Sequence, residues 1–299
     1  MKTVRLKDLH IPKEVLVPMK TNTPLDEFIS PRGGFLPSTV YIVVGGAGTG
    51  KTSWGIDTLY KLSKNYPQKK FLYISGEQDE IDNYELAQYI PGLKELETLY
   101  LAGTRNPQKL ITDTLNEGWD MVLIDSLEVV AGRIQLTTPL NKSQSLKWVM
   151  DIMFKHKRGN NPTHTYTTFL TVQQATKKGI FKGDSSIEFD TSGMLYIKRG
   201  TNNERHLIFT KNRRGPSNIS LFYRLGEGEL EYMVDEEDIE DEDLTEPVSK
   251  PTIGIPTIAF ASIIKALAKK RFNTNLSNNE SFTIVKELEN TYQELVKQC

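Results

Sequence analysis

The sequence has almost no cysteine. The one it has is Cys299, the last of 299 residues, so internal disulfides and a thiolate zinc site are both excluded. Histidine is scarce too: His10, His156, His164 and His206 are scattered without ligand spacing and read as surface or core residues. No apolar run approaches the roughly 20 residues that span a bilayer, and Met1 to Lys7 lacks the hydrophobic core of a signal peptide. These absences predict a cytoplasmic globular chain that makes no membrane contact. Base is missing locally as well: residues 235–246 carry nine acids and no Lys or Arg, so a formal charge of −1 conceals +8 on the remainder. That segment, followed by Pro247, Pro251 and Pro256, reads as a solvated linker, with competition against a polyanion for the basic surface as the other reading.

The expected organisation is an N-terminal arm over residues 1–21, a main domain over 22–234, the linker over 235–256 and a helical hairpin over 257–299. In the hairpin Phe260, Ile263, Ile264 and Leu267 define one amphipathic helix, and Val285, Leu288, Tyr292 and Leu295 another. It is too short to own much of a core, so a docking partner is expected for it.

The most informative feature present is Gly45-Gly46-Ala47-Gly48-Thr49-Gly50-Lys51-Thr52, a complete G-x-x-x-x-G-K-[ST] phosphate-binding loop. Its glycines let consecutive backbone N–H groups face a triphosphate. Lys51 reaches the β and γ phosphates, and the Thr52 hydroxyl is placed to hold Mg²⁺, so ATP and Mg²⁺ are the expected ligands. The run Val40 to Val44 reads as a buried strand before the loop. Trp54, Ile56, Leu59, Tyr60 and Leu62 read as a helix after it, ending at Asn65-Tyr66-Pro67.

Strands and helices then alternate, which predicts an α/β fold with a mostly parallel sheet and helices on both faces. Phe71 to Ser75 ends in Gly76-Glu77, Met121 to Ile124 in Asp125-Ser126, and Thr168 to Val172 in Gln173-Gln174. Polar residues directly after such strands lie at the carboxyl edge of the sheet, where ligands bind. Asp125 is therefore the Walker-B candidate for Mg²⁺, Glu77 the candidate general base, and Gln174 a candidate γ-phosphate contact.

With those residues in place, the chain resembles the ATPase core of the RecA superfamily. Gly33-Gly34-Phe35-Leu36-Pro37, the loop, Ser75-Gly76-Glu77, Leu123 to Ser126 and Lys211-Asn212-Arg213-Arg214-Gly215 look most like RadA (Sms), and next like DnaB-type helicases, over about residues 22–233. Arg214 departs from the Phe usual in RadA, Pro216 completes the helicase version, and Gly183 to Asp190 is similar to the helicase segment behind its DNA-binding loop. The sequence holds neither the four-cysteine module nor the protease-like domain of RadA.

The resemblance implies a RecA-like core that works as a ring, in all expectation a hexamer. Lys211 and Arg213 of one protomer would reach the nucleotide of the next. It also implies single-stranded DNA as a second ligand, gripped by a basic loop after Gln174 that carries Lys177, Lys178 and Lys182, with a second candidate loop after Asp125 that includes Arg133. The leading reading is a DNA-stimulated motor serving recombination, repair or replication. The alternative is a KaiC-like or mediator ATPase that uses ATP as an assembly switch on a protein partner.

Overall fold

A computed structural model describes residues 5, 8, 11–175, 190–200, 204–217, 219–226 and 228–233. The basic loop with Lys177, Lys178 and Lys182, the acidic linker and the helical tail lie outside them. In chain order the elements are α1 (Leu25–Ile29), β1 (Val40–Gly45), α2 (Lys51–Asn65), β2 (Phe71–Ser75), α3 (Glu80–Tyr89), β3 (Glu97–Tyr100), α4 (Pro107–Leu115), β4 (Met121–Asp125), α5 (Leu127–Thr137), α6 (Lys142–Lys157), β5 (Thr168–Gln174), β6 (Gly193–Arg199), β7 (Glu204–Asn212), β8 (Ser220–Leu225) and β9 (Leu230–Met233). Among the described residues the strands form one nine-stranded sheet ordered β3-β2-β4-β5-β1-β6-β7-β8-β9. From β3 to β6 neighbours run parallel; β7, β8 and β9 continue the sheet antiparallel.

The central strands are apolar on both sides because both sides are covered. Tyr41 and Val43 of β1 and Leu170 and Val172 of β5 pack with Trp54, Ile56, Leu59 and Leu62 of α2. Their neighbours in sequence, Val40, Ile42, Val44 and Phe169, point the other way into a second core with Leu127, Val130 and Ile134 of α5 and Val149 and Met153 of α6. Helix starts follow local chemistry. Asp79 caps α3 by accepting from the Ile81 and Asp82 amides while Asp82 answers its backbone N–H, and Asn141 and Gln144 form the same reciprocal box on α6.

Two expectations need adjusting. The core already includes Met19, ahead of the boundary placed at residue 22: its side chain is buried and its backbone bridges to Phe35. The loop expected after Asp125 is helix α5, because Leu127, Val130, Ala131 and Ile134 recur at helical spacing and bury against the sheet.

The chain leaves β1 toward β2, returns through β4 to β5 on one side of β1, and then continues as β6 on the other. This reversal opens a crevice at the carboxyl end of β1, the usual ligand position of such sheets.

Candidate nucleotide site

The phosphate loop fills that crevice. Gly45 must be glycine, since a Cβ there would lie 2.7 Å from Thr49 Oγ1 and 2.8 Å from the Ile197 carbonyl. Gly50, which caps α2, has φ 90°, a left-handed conformation that glycine tolerates without steric cost. The α2 N-terminus thereby points its unpaired N–H groups and positive dipole end into the loop. Thr49 Oγ1 donates to the Gly46 carbonyl at 3.0 Å, and Lys51 Nζ donates to the same oxygen at 2.7 Å. Burial lowers the Lys51 pKa, against the opposing pull of Asp125 and Glu77.

The acidic groups gather beside it. The Thr52 hydroxyl donates to Asp125 Oδ2. Burial raises the Asp125 pKa above the ordinary carboxylate range; the Thr52 hydrogen bond lowers it, Glu77 raises it and Lys51 lowers it. Glu77 is exposed, yet its charge acts on both Lys51 and Asp125, so the three side chains share one neighbourhood. The strand ends are stitched together to hold this geometry: Gly76 N donates to the Asp125 carbonyl at 2.8 Å, and a Cβ on Gly76 would strike Val130 Cγ2 at 2.9 Å. Gln174 ends β5 in register with Gly45 and is exposed, while Gln173 is buried with its amide 3.4 Å from Glu128 Oε2.

Arg133 is half-buried on α5, and its Nε donates to the Gly76 carbonyl at 3.3 Å. It braces the strand end that carries Glu77 instead of hanging from a channel loop, because the segment around it is helical. Lys177, Lys178 and Lys182 fall outside the described residues.

Sequence reading missed Arg205. This β7 residue is 4% exposed, and its Nε donates to the Thr49 carbonyl at 3.1 Å, tying the phosphate loop to the antiparallel wing of the sheet. The available signal was an arginine in the alternating row Arg205, Leu207, Phe209, whose other members are core residues. Beside the loop, a cavity of about 620 Å³ runs from Ser53 and Asp57 to Tyr89, Leu225 and Gly226.

Lys211 and Arg213 lie elsewhere. Lys211 is in register with Met194, which faces Ile42, and the Arg213 amide donates to Ser192, whose own amide donates to Val40. The pair therefore sits at the amino edge of the parallel strands. Five strand residues, roughly 17 Å, separate the Val40 level of Arg213 from Gly45, and three, roughly 10 Å, the Ile42 level of Lys211, so the phosphate loop of the same chain lies toward the opposite edge.

The donor set fits ATP with Mg²⁺. Thr52 and Asp125 offer two touching oxygen ligands of the hard type this ion prefers, and the carboxylate is one that burial penalises until a cation arrives. No protein-family model matches the sequence, and no curated protein does. Solved structures do. A KaiC-like protein, PH0186, from the hyperthermophilic archaeon Pyrococcus horikoshii OT3 superposes with a TM-score of 0.52 at 17% identity, covering 73% of this chain and 99% of its own. The flagellar accessory protein FlaH from Methanocaldococcus jannaschii gives 0.52 at 12% identity, with the same coverages. The fold is RecA-like. In this RecA-like sheet Glu77, Asp125 and Gln174 occupy the ends of β2, β4 and β5, in spatial order toward the loop on β1. Among the described residues no helix is long and apolar enough to cross a membrane.

Proposed function

We propose that the chain is a Mg²⁺-dependent ATPase whose active sites are completed by a neighbouring copy, and that single-stranded DNA stimulates it in the manner of RadA and DnaB-type motors. One observation carries the shared-site part. The loop residues and Glu77 lie on one edge of the sheet, whereas Lys211 and Arg213 lie on the other. Within one chain the two lie at opposite edges of the sheet; in a head-to-tail assembly the next copy would bring them together around one nucleotide.

Thr52 and Asp125 would hold the ion, which when bound neutralises charge on the β and γ phosphates. Lys51 leaves the Gly46 carbonyl for the phosphate oxygens. Glu77 orients a water and accepts its proton as the water oxygen bonds to the γ-phosphorus; the bond to the β-phosphate oxygen breaks, ADP takes the electron pair, and Glu77 returns the proton to solvent. Gln174 contacts the γ-phosphate and couples its loss to the segment that follows. The next copy supplies Lys211 and Arg213 to the developing charge. Ser53 places the start of the 620 Å³ cavity beside the loop, and this volume lies in the usual range for a small-molecule site, so the base and ribose are assigned there.

DNA enters through Lys177, Lys178 and Lys182 directly after Gln174, a cationic segment suited to backbone phosphates. The likeness to a KaiC-like protein and to a flagellar accessory protein favours a second reading, in which ATP switches assembly on a protein partner. ATP turnover with and without single-stranded DNA, read together with particle size, separates them: stimulation of an assembled species supports the motor, and turnover indifferent to DNA supports the switch.

A further inference from the structure

Helix α3 packs Leu86 and Ala87 on the core, yet it also carries apolar residues outward. Asn83 and Ala87 face inward at 2% and 3% exposure, and neither amide atom of Asn83 has a hydrogen-bond partner. Ile81 and Tyr84, one turn apart, stand 74% and 66% exposed. A helix that turns an isoleucine and a tyrosine to water while burying an unpaired amide has a face made for cover. The charge around that face is of one sign. Glu77, Asp79, Glu80, Asp82 and Glu85 cluster there, and no Lys or Arg occurs between Lys70 and Lys94.

The complementary surface lies on the far edge of the sheet. Lys155, Lys157 and Arg158 end α6, and Lys211, Arg213 and Arg214 follow along β7 and its turn. Burial, then repulsion from Arg214, Arg158 and Arg213, holds Lys157 below the usual lysine range, so the charges that bear on it are all positive. An acidic apolar face at the carboxyl edge and a cationic face at the amino edge cannot meet within one chain. They meet when copies stack head to tail, a heterologous contact that closes into a ring if its rotation permits.

We propose that the outward face of α3 is one half of the contact between successive copies, with Ile81 and Tyr84 buried on the next chain and the flanking acids set against its Arg213–Arg214 edge. The proposal rests on the shared-site reading above, since the same contact carries Lys211 and Arg213 toward Glu77. It accounts for Arg214, which extends the cationic edge beyond Lys211 and Arg213. The occupant is a second copy because the sign of each face matches the other.

The test is sedimentation velocity of the full chain with Mg²⁺ and ATPγS over a concentration series. The parent should assemble. Glu80→Lys with Glu85→Lys, Ile81→Ser with Tyr84→Ser, and Arg214→Glu should each raise the concentration of half-assembly at least tenfold with an unchanged melting temperature, because every altered side chain is exposed. An equal mixture of the Glu80→Lys/Glu85→Lys chain with the Arg214→Glu chain should restore assembly, because alternating copies then present opposite charges at every contact. A parent that stays monomeric, variants that assemble like it, or a mixture that does not recover would overturn the proposal. So would faster hydrogen exchange in α3 of the dilute monomer on Leu267→Glu, which would identify the chain's own tail as the cover. The shared site is read separately by mixing Lys51→Ala and Arg213→Ala chains: ATP hydrolysis there, with the charge reversals silent, removes the α3 assignment and leaves the shared site standing.

Discussion

Replacing Arg205 by Met keeps the aliphatic stem and removes the guanidinium that holds the Thr49 carbonyl. The donor–acceptor distance is 3.1 Å, the arginine is 4% exposed, and Nη1 also donates to the Glu204 carbonyl. A hydrogen bond to a charged group is worth about 1.5–3 kcal/mol, and removing the donor leaves a partly buried carbonyl without it. A loss of about 2 kcal/mol corresponds to a fall of roughly 4–8 °C in melting temperature for a domain of this size. The same loss bears on nucleotide binding, because the free loop must then be ordered by the ligand. At about 1.4 kcal/mol per tenfold, Kd for ATP and for ADP should rise together by roughly ten- to thirtyfold, while kcat at saturation stays within about threefold. Arg205→Lys should resemble Arg205→Met, since a point ammonium does not reproduce the planar donor fork. Calorimetric titration with both nucleotides and steady-state ATPase rates read the two quantities. Unchanged affinity with kcat down about a hundredfold would contradict the argument, because such a split belongs to a group acting only in the transition state.

Glu77→Gln should retain ATP and Mg²⁺ binding and slow hydrolysis about a hundredfold or more, the scale of general-base removal; turnover equal to the parent would remove Glu77 from that role. Asp125 has its pKa raised by burial, so without metal the native protein holds this proton more tightly than the unfolded chain, and metal-free stability should rise as pH falls through that interval. Asp125→Asn should accordingly leave the metal-free melting temperature equal or higher while abolishing the Mg²⁺-dependent part of ATP stabilisation, and a large drop in the metal-free value would contradict it. Reversing charge at Lys177, Lys178 and Lys182 should remove DNA stimulation, spare basal hydrolysis, and flatten the slope of log affinity against log salt by about two per subunit engaged. A triple variant stimulated like the parent would move the DNA site elsewhere.

Elements with two independent signatures were legible in the sequence. Strands β1, β2, β4 and β5 combine apolar β-branched runs with a polar terminus, and α2 follows a glycine loop and stops at Asn65 where the periodicity does. Helix α5 was misjudged because the polar pair Asp125-Ser126 resembles a loop entry, and its helical period emerges only once Leu127 is taken as the first turn. The gathering of Glu77, Asp125 and Lys51 followed from sheet topology, which brings β2 and β4 side by side, and strand termini foretold it. Arg205 was hidden because β7 is antiparallel. It starts at the phosphate-loop edge with Arg205 and runs away from it to Lys211, so sequence distance says nothing of the approach to Thr49. The exposed face of α3 was hidden for another reason: its apolar and polar residues are spread around the helix, and only burial separates the two sides.

The shared active site is tested most directly by mixing two inactive chains. Lys51→Ala removes the phosphate-loop ammonium and Arg213→Ala removes a cation from the opposite edge, so each homogeneous assembly has every site broken. In a mixed assembly some interfaces pair an intact loop with an intact Arg213. The account predicts ATP hydrolysis in the mixture, rising with the fraction of such interfaces and absent from either chain alone. Mixed particles demonstrated by mass but silent toward ATP would contradict it.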